Sequence, residues 1–329
     1  MNLGMSVGVL GTGKYVPEKV LTNFDLEKMV DTSNDWIITR TGIRERRISS
    51  PEEASSDLAY HASVEALKNA GLTADDIDLI IVATITPDMA FPSTACVLQE
   101  KLGAKRAAAF DLSAACSGFI YSLANAVSMI AAGLYKHVLV VGAECLSKIT
   151  DYTDRNTCIL FGDGAGAVVL GQVPDGRGFR SFVLGADGSG GELLNLAGGG
   201  SRCPASPESI AEKKHYIYMA GKEVFKFAVR IMGSAALEAL DKAGLTKDDV
   251  DLLVPHQANI RIIHSALEKL NLPEDKCMIN LDKYGNASAA SIPIALAEAA
   301  EEGRMQEGDC LVLVGFGGGL TWGASVLIW

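Results

Sequence analysis

One stretch of this chain occurs twice, and that repetition limits the folds open to it more than any other feature. Val64–Ile81, VEALKNAGLTADDIDLII, aligns without a gap to Leu237–Val254, LEALDKAGLTKDDVDLLV, with eleven of 18 positions identical at an offset of 173 residues. The same offset pairs VLVVG (Val138–Gly142) with LVLVG (Leu311–Gly315). Two matches at one long offset indicate a duplicated domain rather than a short-period solenoid. Each copy predicts an amphipathic helix closed by a glycine C-cap, Gly71 or Gly244. A threonine cap and an acidic turn follow, then a continuous apolar run of the kind that forms a strand buried on both faces. Further on, each copy predicts a helix rich in small residues (117–133 and 288–302) and a second apolar strand. Such strands need helices on both sides. The expected class is therefore α/β: two halves, 1–172 and 173–329, packed as an α/β/α/β/α sandwich with the site in polar loops at their junction.

Function is sought where the copies differ. The offset maps Cys116 onto Ala289, and His256 onto Ala83. Cys116 stands among Ala114, Ala115, Ser117 and Gly118, side chains too small to pack a structural thiol but suited to admitting a substrate. It opens a predicted helix, where free N–H groups and the helix dipole favour thiolate. The seven cysteines are an odd number without a C-x-x-C pair, which argues against a disulfide framework or a zinc site and points to the reducing cytoplasm. His256, in VPHQANIR, directly follows the second copy's apolar strand; Asn286, in KYGNASAASIP, precedes a small-residue helix. Taken singly, a loop histidine accounts for the first equally well, and a turn or cap asparagine accounts for the second better than a catalytic one. GDGAGAVVL (162–170) leads into a strand pattern, not a helix, and so fails as a phosphate loop. VGFGGGLTWG (314–323) predicts a hairpin whose bare amides can meet a carbonyl oxygen. A net charge of −11 argues against nucleic acid as a partner. No apolar run reaches the roughly 18 residues of a membrane helix, and the N-terminus lacks a signal-peptide layout.

Several stretches together resemble the 3-oxoacyl-[acyl-carrier-protein] synthase III family. They are TSNDWIITRTGIRERRI (32–48), DLSAACSGF (111–119), RNTCILFGDGAGAVV (155–169), MAGKEVFKFAV (219–229), VPHQANIRI (254–262), YGNASAASIP (284–293) and GFGGGLTWG (315–323). The resemblance implies a thiolase-like five-layer fold and a Cys116–His256–Asn286 triad. It implies a decarboxylating condensation of a short-chain acyl-CoA with malonyl-acyl carrier protein, beginning type II fatty acid synthesis through an acyl-cysteine. His256 and Asn286 would act as neutral donors to the enolate, and the amides of Cys116 and Gly318 as the oxyanion hole. Coenzyme A would lie along Thr32, Trp36, Arg40, Arg155, Asn156, Gly221 and Asn259. Phe91, reaching across a homodimer, and Phe316 would shape the acyl pocket. No cofactor or metal is implied; the coenzyme A thioester is a substrate. Separately, Lys222, Lys226 and Arg230 recur at helical spacing and, with Arg261, form a basic stripe suited to an acidic carrier protein. Other readings of the same residues are a synthase of secondary metabolism, a cysteine thioesterase and a non-catalytic acyl-CoA-binding homologue.

Overall fold

The repeated helix–turn–strand segments take the same form twice. In the computed structural model, which describes residues 5–329, the main strands are β1 (Val7–Tyr15), β2 (Leu79–Ala83), β3 (Ala108–Leu112), β4 (Val138–Cys145), β5 (Asp163–Gln172), β6 (Gly178–Ala186), β7 (Leu252–Pro255), β8 (Cys310–Gly317) and β9 (Thr321–Ile328). The main helices are α1 (Asn34–Thr41), α2 (Ser55–Ala70), α3 (Thr94–Leu102), α4 (Gly118–Ala131), α5 (Gly221–Ala243), α6 (Ile260–Leu270) and α7 (Ser291–Glu301). Helices α2 and α5 both end on a left-handed glycine, Gly71 at φ 66° and Gly244 at φ 72°. After each, a threonine and an aspartate three residues on cap one another, Thr73 with Asp76 and Thr246 with Asp249. This local chemistry turns the chain into β2 and β7.

One sheet runs in the order β1-β5-β4-β2-β3 and the other β6-β9-β8-β7. In both, a parallel pair (β2 with β4, β7 with β8) continues into antiparallel neighbours. The fifth position of the second sheet is reduced to a single bridge between Leu253 and Cys277. Alternation along each strand sorts the side chains between layers. Leu79 and Ile81 face a central core with α4 and α7, whereas Ile80 and Val82 face α2 and α3. On the second sheet Leu311 and Leu313 join that central core, and Val312 and Val314 pack toward α5 and α6. Five layers result, α/β/α/β/α, with the two small-residue helices α4 and α7 in the middle. Both are closely enclosed, and α7 is buried along almost its whole length.

The predicted starts of these two helices are corrected. Residues 115–117 and 288–290 form tight 3-10 turns, because Ala115 and Ser288 each sit at φ 47°, outside the helical region. The two turns are related by the same 173-residue offset, so the duplication extends to an unusual backbone conformation. Among the described residues no helix is long and apolar enough to cross a membrane.

Candidate active site

Cys116 occupies the middle of the first of these turns, between β3 and α4, and is 7% exposed. Two cavities meet at it. The larger, about 390 Å³, is lined by apolar side chains including Ile85, Leu146, Ile149 and Ile217, with Gly318 and Ser288 at its inner end. The smaller, about 90 Å³, brings Cys116 together with His256, Asn286, Phe316, Gly221 and Asn259. Cys116, Phe161 and Leu194 line both. Residues 140 and 170 positions apart in sequence thus share one enclosed space.

His256 is held by its own backbone and by α7. Its amide donates to Val314 O at 2.8 Å, continuing the β7–β8 ladder. Its Nδ1 lies 2.6 Å from Ser291 Oγ. Ser291 Oγ also lies 2.9 Å from Ser288 O, and with its one hydrogen donated there Nδ1 carries the proton. Nε2 is then a bare acceptor, buried and without a partner among the described residues. Burial alone drives the imidazole pKa down to about 3, so the ring is neutral. In this tautomer Nε2 accepts; the neutral ring donates from Nε2 when the Ser291 hydroxyl turns to Nδ1 instead.

Asn286 is fixed by backbone on both sides. Its amide donates to Leu160 O at 2.8 Å and its carbonyl accepts from Gly162 at 3.1 Å. Oδ1 accepts from the Ser288 amide at 2.8 Å, which leaves Nδ2 as the donating end. The expected depression of the Cys116 pKa is overturned. Burial pushes the thiol up to about 12, and the Glu144 charge adds to this, outweighing the Ser288 hydroxyl and the backbone amide that favour thiolate. Sulfur and imidazole are thus a neutral pair.

Gly317 was not singled out in the sequence, although it lies within its glycine run. A Cβ there would stand 2.5 Å from the Cys116 nitrogen, so only glycine lets the β8–β9 hairpin close on that amide. Gly318 follows it and lines the larger cavity. Phe316, expected in the acyl pocket, lines the smaller cavity. It sits on the β8 face turned to His256, edge-on to the imidazole with centroids 5.6 Å apart. Phe91 is 85% exposed and lines neither cavity.

Trp36 is half-buried with the Arg40 and Arg155 guanidiniums 5.3 and 4.8 Å from its ring. Arg155 also lies 3.4 Å from the Asp31 carboxylate. Asn259 caps α6 and donates to Arg40 O at 2.9 Å, tying α1 to α6 beside the smaller cavity. The Thr32 hydroxyl is buried without a partner among the described residues, while the Asn156 side chain turns back onto Asp154. Lys222, Lys226 and Arg230 are exposed on α5, and Arg261 on α6 lies 4.8 Å over the Phe225 ring. Among the described residues no three side chains form a metal-binding cluster.

Known proteins resemble this chain along nearly its whole length. Models of the 3-oxoacyl-[acyl-carrier-protein] synthase III family match residues 110–188 and, for its C-terminal part, 240–329. The β-ketoacyl-[acyl-carrier-protein] synthase III of Desulfitobacterium hafniense strain Y51 is 62% identical over 99% of this chain and 98% of its own. The crystal structure of 3-oxoacyl-[acyl-carrier-protein] synthase III from Aquifex aeolicus superposes with a TM-score of 0.91 at 51% identity, covering 98% of this chain and all of the other. The priming β-ketosynthase of the R1128 polyketide pathway has a TM-score of 0.90 at 37% identity, covering 98% of this chain and 96% of that one. Since likeness of this order extends along nearly the full chain, the chain belongs to the 3-oxoacyl-[acyl-carrier-protein] synthase III family.

Proposed function

We propose that Cys116 carries the acyl group between two half-reactions served by His256 and Asn286. The observation that carries this reading is a single thiol placed where an apolar cavity meets a second one holding an unpartnered imidazole nitrogen and a carboxamide. In the first half-reaction, Sγ attacks the thioester carbonyl of an acyl-CoA while Nε2 takes its proton. The bond to coenzyme A breaks, and the proton leaves with the coenzyme A thiol. Because thiol and imidazole both start neutral, no ion pair has to be desolvated beforehand. In the second, a malonyl thioester on carrier protein loses carbon dioxide and leaves an enolate. Asn286 Nδ2 donates to its oxygen without rearrangement. His256 can add a second donor only when Nε2 is protonated or when the Ser291 hydroxyl turns to Nδ1. The enolate carbon attacks the acyl thioester, the Cys116 thiolate departs, and a solvent proton restores it. The Cys116 and Gly318 amides would hold the oxyanion in both halves.

As a member of its family the chain is a condensing acyltransferase that initiates fatty acid synthesis. In our reading Trp36, Arg40 and Arg155 take the adenine and phosphates of coenzyme A, with Thr32, Asn156, Gly221 and Asn259 along the approach. The enzyme works without metal or cofactor in the cytoplasm, as a homodimer whose Phe91 reaches the partner's acyl cavity. The chain divides into halves 1–172 and 173–329, which the two sheets support by drawing their strands from 7–172 and 178–328. The test is to incubate the enzyme with acetyl-, isobutyryl- or isovaleryl-CoA, weigh the acyl-enzyme, then add malonyl-carrier protein. Transfer to a 3-oxoacyl product supports the reading. Release of free acid without malonyl thioester would indicate a thioesterase. The likeness to a polyketide-priming synthase gives a second reading, a specialised starter synthase, which product analysis separates.

Two outcomes follow from the geometry. Gly317→Val is expected to lower condensation about a hundredfold while the fold persists, because the added carbons displace the Cys116 amide from a developing oxyanion. Steady-state kinetics beside thermal melting check this. Lys226→Glu with Arg261→Glu is expected to raise the KM for malonyl-carrier protein about tenfold or more and spare acyl-CoA loading. Both side chains are exposed and form no ion pair among the described residues. Equal loss of both half-reactions would remove the carrier-docking role.

A further inference from the structure

Among the described residues the bulkiest side chain to be buried completely is a charged one, Arg46, and the mechanism above does not use it. It lies on a two-stranded ribbon, Val20–Thr22 with Glu45–Arg47, directly opposite Leu21. A guanidinium stays charged at neutral pH, and taking it out of water without an anion is costly. Its acceptors here are all neutral. Nη1 donates to Leu21 O at 3.1 Å and to Asn23 Oδ1 at 2.9 Å, and Nη2 donates to Ile159 O at 2.6 Å. Nε is buried and finds no partner among the described residues. The fork thus fastens the ribbon to a segment 113 residues away in the chain.

That segment carries Asn286. Leu160 O accepts from the Asn286 amide and the Gly162 amide donates to Asn286 O, forming a parallel bridge with Phe161, which lines both cavities beside Cys116. The stem of Arg46 packs on the same junction. A Cβ on Gly162 would stand 3.0 Å from Arg46 Cβ and 2.3 Å from Tyr284 O. One on Gly285, which is at φ 65°, would stand 3.3 Å from Arg46 Cβ and 2.7 Å from Leu160 O. The Arg44 amide donates to Asp282 O at 3.0 Å, so the ribbon also grips the chain just before Asn286. The duplication supplies a comparison. The 173-residue offset maps Leu21 and Arg46 onto Leu194 and Met219, which are likewise paired across a two-stranded ribbon. There the position is apolar and lines the smaller cavity with Cys116. Symmetry of the fold accounts for a long side chain at this position, but not for a charge.

We propose that Arg46 is a positioning residue for the condensation half-reaction: its guanidinium pins Ile159 O and its stem backs Gly162 and Gly285, so that the bridge they flank holds Asn286 with Nδ2 ready for the enolate. This rests on Asn286 being the enolate donor. A donor helps a developing charge only if it is already in place, and a displacement of about 1 Å can cost about a hundredfold in rate. Within its own turn Asn286 Oδ1 is fixed by the Ser288 amide; Arg46 fixes the segment against which that turn rests. The base for acyl loading hangs elsewhere, His256 on Val314 O and Ser291 Oγ. Helix α1, with Trp36 and Arg40, keeps its own ties, since Asn23 Nδ2 donates to Ile43 O at 2.8 Å and to Asn34 Oδ1 at 3.2 Å. The clamp therefore bears on one half-reaction.

The experiment measures Cys116 loading and condensation separately in the full chain, with acetyl-CoA and malonyl-carrier protein. Arg46→Met, which copies the equivalent position of the other half, is expected to slow condensation about thirtyfold while loading stays within about threefold. Arg46→Lys keeps the charge, but one nitrogen cannot serve both sides of the fork, so condensation should be nearly as slow. Asn286→Ala alone should lose about 10²–10³-fold in condensation, and adding Arg46→Met to it should cost less than about threefold more. Amide exchange in Arg46→Met should quicken about tenfold in peptides covering 159–162 and 284–288 but not in β4. In the wild type those peptides should exchange as slowly as β4, a reading that needs no variant to fold. The proposal is overturned by a wild-type condensation rate in either variant, by equal loss of loading and condensation, or by the same loss from Arg46→Met with and without Asn286. Exchange of the wild-type peptides within seconds overturns it too. Condensation at the wild-type rate in Asn286→Ala would instead overturn the functional reading on which it rests.

Discussion

Replacing Cys116 by serine is expected to slow condensation about a thousandfold or more and to remove the acyl-enzyme from the mass spectrum. The reason lies in the base. His256 leans on Ser291, a neutral hydroxyl, through Nδ1, and no carboxylate stands behind it to stabilise an imidazolium. Its pKa is held near 3 by burial. Such a ring can accept a proton from a thiol as the carbon–sulfur bond forms. It is a poor base for an alcohol, whose pKa lies several units higher. Oxygen for sulfur is a small change at a cavity wall, so the melting temperature should shift by only a few degrees. Single-turnover kinetics with an acyl-CoA and malonyl-carrier protein measure the loss. Condensation at the normal rate would end the acyl-cysteine mechanism.

Asn286→Asp is expected to divide the two half-reactions. Acyl loading of Cys116 should persist within about tenfold, while decarboxylative condensation falls about 10²–10³-fold, the usual consequence of removing a donor from a developing oxyanion. Aspartate keeps an oxygen for the Ser288 amide, so the turn is retained. The other end changes from N–H donor to anion and faces the enolate with like charge. The pH dependence has a definite sign. A carboxyl at this 8% exposed position has its pKa raised by burial, and only its protonated form can donate. Condensation by the variant should therefore recover as pH falls through that pKa and be lost as pH rises. Parallel loss of loading and condensation would mean that Asn286 supports the loop rather than the enolate.

Much of the architecture could be read from local pattern. Gly71 and Gly244, Thr73 and Thr246, and the apolar runs after them mark the same helix–turn–strand unit twice, and both units form as expected. The GDGAGAVVL stretch is a strand and the GFGGGLTWG stretch a hairpin, for the reasons of context given above. Cys116 and His256 stood out because each replaces an alanine of the other copy. Asn286 had no such contrast and depended on the family resemblance.

What local pattern misjudged was the state of these groups. A helix start argued for a thiolate at Cys116, but side chains from the other half enclose the sulfur, and desolvation outweighs the dipole. The same enclosure sets Phe316 edge-on to the imidazole and makes Gly317 indispensable to the Cys116 amide, neither of which local pattern signals. Ser291 under His256 carries no sequence signal of its own, since it acts on a residue far away in the chain. Periodicity, caps and turns arise between neighbours along the backbone, so the order of residues was enough to specify the duplicated layers. Protonation, tautomer and oxyanion geometry depend on which atoms exclude water from which, and here only the packing of one half against the other decides that.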